Sequence, residues 1–97
     1  MPASLKDIQG WLNSAKAQGA RYLIVGLDPF DYENFPIYVM PEDEIWDDID
    51  ELRRTGNRFE EVYDLSMDID EQLRENRAMH YPRRPEDRPP VVTSLGM

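Results

Sequence analysis

The architecture hangs on one run, Arg21-Tyr22-Leu23-Ile24-Val25-Gly26-Leu27-Asp28. It is continuously apolar, holds β-branched and aromatic members, and is bounded by Gly19 and Pro29. A short run that is apolar at consecutive positions predicts a strand buried on both faces, and so a central strand. Gly26 within it predicts a bulge or a close backbone approach.

Working outward, residues 4–18 predict an amphipathic helix. Ser4 is placed to cap it with Asp7 answering, Leu5, Ile8, Trp11, Leu12 and Ala15 form the apolar stripe, and Gly19 ends it. On the other side, Asp28 to Pro36 is a loop by composition, and Ile37 to Met40 a second strand that starts beside a proline, as an edge strand does. Pro41 then opens a helix that runs to about residue 55, with Ile45, Ile49 and Leu52 as its stripe and Gly56-Asn57 as its stop. Residues 58–66 alternate, with Phe59, Tyr63 and Leu65 on one face and Glu60, Val62 and Asp64 on the other. A last helix starts near Asp68, with Glu71 at its N3 position, and stops before Tyr81-Pro82.

These elements predict an α+β fold of order αββαβα. Its three-stranded, mainly antiparallel sheet would carry helices mostly on one face. Residues 1–81 would form the single domain and 82–97 an extended proline-rich tail. The expected core is Ile24, Val25, Leu27, Ile37, Val39, Val62 and Leu65 with Trp11, Leu12, Ile45, Ile49 and Leu52. The uncovered sheet face, with Tyr22 or Tyr38 and Tyr63, would be a dimer or partner surface.

Composition narrows the function. The chain has 97 residues, 11 Lys plus Arg against 20 Asp plus Glu, a net charge of −9, and 40 % apolar residues. That supports one core. The acidity argues against direct nucleic-acid binding and against anionic membranes. Without cysteine there is no disulfide, thiolate metal site or thiol nucleophile. No apolar run reaches membrane-spanning length, and Met1 to Asp7 has no signal-peptide pattern, so a cytoplasmic protein is expected.

Two segments stand out. Asp28, Asp31 and Glu33 interleave with Phe30, Tyr32 and Phe35. This loop reads as a turn capped by its aspartates, as an aromatic partner contact, or as an oxygen-ligand cation loop lacking the expected glycine and distal glutamate. Residues 42–51 carry seven carboxylates, at 42, 43, 44, 47, 48, 50 and 51, with no basic residue among them. Such a face is either solvated surface or a mimic of a phosphate backbone. Paired carboxylates such as Glu60 with Glu61 would lie on opposite faces of a strand, and His80 is alone, at a helix end, so no catalytic or metal site and no cofactor is expected. Arg83, Arg84 and Arg88 would dock on the chain's own acidic face or on a second subunit.

Several stretches resemble one family. They are Gly19-Ala20-Arg21-Tyr22-Leu23-Ile24-Val25, Asp28-Pro29-Phe30-Asp31, Phe35-Pro36-Ile37-Tyr38-Val39, Phe59-Glu60-Glu61-Val62-Tyr63-Asp64-Leu65, Gln72-Leu73 and Arg77-Ala78-Met79-His80-Tyr81. Together they resemble small uncharacterised proteins of tailed bacteriophages and prophages, over roughly residues 5–81. The resemblance implies a phage accessory protein in the host cytoplasm, of the kind that counters bacterial defences, and transfers no active site.

The expectation is therefore a non-enzymatic, anti-CRISPR-like inhibitor of a bacterial nucleic-acid-handling defence protein. Glu42, Asp43, Glu44, Asp47, Asp48 and Glu51, with Phe30, Asp31, Tyr32 and Phe35, would be its contacts. The alternative is a homo-oligomeric sponge for a signalling nucleotide, with Arg21, Arg58, Arg74 and Arg77 as candidate phosphate ligands. A structural or regulatory phage protein is the third reading.

Overall fold

The computed structural model describes residues 3–75 and 77–84. The elements are α1 (Leu5–Gln18), β1 (Tyr22–Asp28), β2 (Glu33–Val39), α2 (Ile45–Arg54), β3 (Arg58–Asp64) and α3 (Ile69–Leu73). Their order is the expected αββαβα. The three strands form one antiparallel sheet of spatial order β2-β1-β3, so β1 is the central strand that its consecutive apolar residues predict.

Local chemistry sets the element ends. The Asp7 amide donates to Ser4 Oγ at 3.2 Å and the Ser4 amide to Asp7 Oδ2 at 3.1 Å, a reciprocal capping box for α1. Gly19 closes α1 at φ 77°, where an L side chain is strained. Asp68 caps α3 by accepting from the Asp70 and Glu71 amides. α2 begins at Ile45 and not at Glu42, because Glu44 is its cap: its backbone is extended and its side chain accepts from the Trp46 amide. β2 begins at Glu33 and not at Ile37. Asn34, Phe35 and Pro36 pair with Leu27, Gly26 and Val25, which shortens the loop to residues 29–32.

Helices cover both faces of the sheet, which corrects the one-face expectation. Ile24 packs with Ile45, Ile49 and Leu52 of α2, together with Val39 and Val62. Its neighbours Leu23 and Val25 pack with Leu12 of α1, together with Tyr63 and Ala78. Adjacent strand residues point to opposite faces, so α1 and α2 lie on opposite sides. A strand apolar at every position needs a cover on each side, and the two helical stripes supply one each. No uncovered tyrosine face results: Tyr63 is buried under α1, while Tyr22 and Tyr38 are half-buried on opposite faces. Leu27, Ile37, Leu65 and Trp11 are half-buried and not core, whereas Leu23, Ala15 and Ala78 are fully buried.

Gly26 meets both of its expectations. The β1–β3 register shifts between Val25, opposite Glu61, and Gly26, opposite Phe59. Glu60 is the extra residue of that bulge. On the other side, the Phe35 ring occupies the space where a residue-26 Cβ would stand. The bulge also breaks the expected alternation of β3. Phe59 joins Val62 on the α2 face, while Tyr63 stays on the α1 face.

The outer edge of β3 is closed by the chain that follows it. Arg77 Nε donates to the Glu60 carbonyl at 2.7 Å. The Val62 amide donates to the Ala78 carbonyl, and the His80 amide to the Val62 carbonyl, each at 2.9 Å. The Asp64 amide donates to Gln72 Oε1 at 2.8 Å. β2 remains as an edge, and Pro36 within it has no N–H to offer a further strand, a common safeguard against edge pairing.

Residues 82–84, expected to belong to an extended tail, lie against α2. Trp46 Nε1 donates to the Pro82 carbonyl at 3.1 Å, and Arg84 forks onto Asp50. Arg88, Pro89 and Pro90 lie outside the described residues.

Candidate functional site

The two segments singled out in the sequence sit at opposite ends of the sheet. β1 and β2 pair from Tyr22 with Val39 at one end to Asp28 with Glu33 at the other. α2 starts soon after Val39 and ends just before Arg58, which faces Leu27. The acidic start of α2 is therefore at the Tyr22 end, and the aromatic loop is about 20 Å away, the length of a seven-residue strand.

At the loop end, Asp28 Oδ1 accepts from the Phe30 amide at 2.9 Å, and the Asp28 carbonyl accepts from the Tyr32 amide at 2.7 Å. Asp28 thus serves as the turn cap that its residue type predicts. The aromatics divide. Phe35 folds back onto Gly26 and is half-buried against the α2-face cluster. Phe30 is 91 % exposed and Tyr32 68 % exposed, and Tyr32 adopts φ 57°, a left-handed conformation that few non-glycine residues take. Among the described residues, no three His, Asp or Glu side chains converge as a cation site requires.

At the α2 end, Glu42, Asp43, Glu44, Asp47 and Asp48 line one depression of about 380 Å³, and among the described residues no basic one shares it. Further along the run, Glu51 pairs with Arg54, three residues on, and Asp50 with Arg84. Docking of a tail arginine on the acidic face is thereby met for Arg84. Burial first, then Asp43, Asp47 and Glu51, hold the Asp48 carboxyl above the usual carboxylate range. Helix capping accounts for Glu44, and the positive helix end favours Asp47 and Asp48. Glu42 and Asp43 precede the helix.

A raised carboxyl value means that the folded state resists ionising Asp48. Above that value the ionised group costs stability. As pH falls through it, the folded chain takes up the proton first and the cost disappears, completely so below the unfolded value of about 3.9. Asp48→Asn should therefore melt a few degrees higher than the parent at pH 7, on the scale of about 0.5 kcal/mol for a surface substitution. The two should melt together at pH 3. Thermal melts at both pH values check this, and an equal gap at pH 3 would refute it.

The four candidate phosphate ligands do not converge. Arg21 Nε donates to Asp64 Oδ1 at 3.3 Å and its guanidinium lies 5.0 Å from the Tyr22 ring centroid. Arg58 opens β3 at the other end of the sheet, Arg74 caps α3, and Arg77 is tied to the Glu60 carbonyl. Within one chain they form no common anion site. His80 lies beside β3 and not at a helix end, with Nε2 at 2.8 and 2.9 Å from the two Glu75 carboxylate oxygens.

Three arrangements escaped the sequence reading. The Glu60 bulge brings Glu60 and Glu61 to the lining of one depression of about 310 Å³, shared with Asn34 and Arg77. Opposite faces, expected from strict alternation, do not apply across a bulge. Asn34 binds that corner together, donating to the Gly26 carbonyl and to Glu60 Oε1 and accepting from the Ala3 amide. Tyr63 Oη donates to Glu61 Oε1 at 2.7 Å, and burial followed by that hydrogen bond pushes the phenol up. Lastly, Gln72, in a helix too short to show a period, is buried. A further depression, about 550 Å³ between α1 and the β3–α3 segment, is lined by Leu12, Lys16, Leu65, Met67 and Leu73 among others. It holds none of the partner or phosphate candidates.

The class so defined is a small α+β domain: a three-stranded antiparallel sheet covered on both faces, with an acidic helix start and an aromatic hairpin at opposite ends. No protein-family model, curated protein or solved structure matches the chain.

Proposed function

We propose that this chain is a non-enzymatic binding module that presents the acidic start of α2 to the basic, nucleic-acid-handling surface of another protein. In the phage setting that the resemblance implies, such a module inhibits a host defence protein by occupying its nucleic-acid channel. One observation carries the reading: five carboxylates are gathered around one depression, although burial and then the neighbouring carboxylates cost stability at Asp48. Charge of this density speeds encounter with a cationic partner and repels nucleic acid itself. Phe30 and Tyr32 supply a second contact at the far end. An interface of about 800 Å² per partner is about 30 Å across, which can take in both ends.

The test is capture from a nuclease-treated bacterial lysate by the parent chain and by Glu42→Lys/Asp43→Lys/Asp47→Lys. The expected result is a nucleic-acid-handling protein that the parent retains at low salt, that added heparin displaces, and that the variant loses. Equal retention by the variant overturns the reading, as does retention indifferent to heparin.

A further inference from the structure

Trp46 and Asp50 lie one helical turn apart on α2, so their side chains are neighbours on its surface. Arg84 is seated on both. Its guanidinium carbon is 4.5 Å from the Trp46 ring centroid. Its Nη1 donates to Asp50 Oδ2 at 3.2 Å and its Nη2 to Asp50 Oδ1 at 2.7 Å. A planar fork on a carboxylate combined with stacking on an indole suits a guanidinium and not an ammonium, which has neither the plane nor the fork.

The indole is held by contacts other than Arg84. Its Nε1 donates to the Pro82 carbonyl, and the Tyr81 ring meets it edge-on at 5.6 Å and 74°. Tyr81 is in turn edge-on to Phe59 at 5.9 Å. The cleft walls are therefore set by the core side of α2 and by Tyr81, and Arg84 fills them from a segment with no helix or strand of its own.

We propose that Trp46 and Asp50 form an arginine-binding cleft, which Arg84 occupies within the chain and from which an arginine of a partner protein displaces it. The inference rests on the reading of α2 as a contact face and names the partner's contacting group. Arg84 then acts as a tethered competitor. A partner meets only the fraction of molecules whose cleft is open, and its affinity is reduced by that fraction. For a cleft filled in about nine molecules of ten, removing Arg84 raises the partner's affinity about tenfold.

The experiment follows the Trp46 indole N–H by NMR, assigned against Trp11 with Trp46→Phe. The full chain is titrated with the blocked peptide acetyl-Gly-Arg-Gly-Arg-Gly-amide and with its lysine counterpart. Arg84→Gln is expected to bind the arginine peptide about tenfold more tightly than the parent, with the Trp46 signal moving. The lysine peptide should bind Arg84→Gln several-fold more weakly, and adding Asp50→Asn should remove the arginine binding. Arg84→Lys, which keeps the charge but not the fork, should show a smaller gain and serves if Arg84→Gln does not fold. Equal binding of both peptides, or no gain without Arg84, overturns the cleft. If that occurs while heparin-displaceable capture persists, the cleft alone is wrong; lost capture with intact peptide binding overturns the reading of the acidic start of α2.

Discussion

Gln72→Leu is expected to lower the melting temperature by about 12–24 °C, although the substitution keeps the side chain's bulk and adds apolar character. Gln72 is 1 % exposed, yet its amide is fully employed. Its Oε1 accepts from the Asp64 amide at 2.8 Å, and its Nε2 donates to the Asp64 and Asp68 carbonyls at 2.8 and 3.1 Å. The Asp64 amide points away from β1 at the outer edge of β3, and Gln72 takes the place that a fourth strand would hold. A leucine leaves these backbone groups buried without their partner. One or two such groups at about 1–3 kcal/mol each cost about 3 kcal/mol, and each kcal/mol moves the melting point of a domain this size by about 4–8 °C. Gln18→Leu, at an exposed helix end, is the control and should move it by less than about 4 °C. Equal melting of the two variants would show that Gln72 closes no edge.

Gly26→Ala is expected to cost about 2 kcal/mol, or about 8–16 °C, for a single added methyl. A Cβ at residue 26 would stand 2.6 Å from Phe35 Cε2 and Cζ, well inside van der Waals contact. The ring must swing away, and it packs against the cluster formed by Ile24, Val39 and α2. Phe35→Leu shortens the obstructing side chain. The double variant should therefore be less destabilised than the sum of the two single variants, a coupling that residues in contact show and distant ones do not. Urea unfolding of the four chains measures it. Strict additivity would mean that the ring and the Gly26 backbone do not share that space.

The acidic run and the aromatic loop were both legible in the sequence, because charge density and residue type need no fold to be read. Their separation was not, since it depends on which way α2 runs along the sheet. Phe30 and Phe35 look alike as residues of one loop, but strand pairing begins at Glu33 and turns Phe35 inward, leaving Phe30 in solvent. Glu60 and Glu61 show the same limit. Alternation is a rule of regular strands, and the bulge that suspends it is set jointly by Gly26 and the long-range register of β1 with β3.

Periodicity and caps, all local, determined the six elements and their order: the Ser4–Asp7 box, the stripe of α2 and the unbroken apolar run of β1 each act over a few residues. The same run predicted a strand buried on both faces, yet the helices were expected mostly on one. Which helix covers which face, which end of the sheet is acidic, what closes the edge of β3 and where Arg84 comes to rest were decided by tertiary packing. Those outcomes join residues 8 to 34 positions apart, such as Gln72 with Asp64, Arg84 with Asp50 and Val62 with Ala78. Such contacts are selected by the burial and hydrogen bonding of the whole chain at once, a competition that no local pattern records.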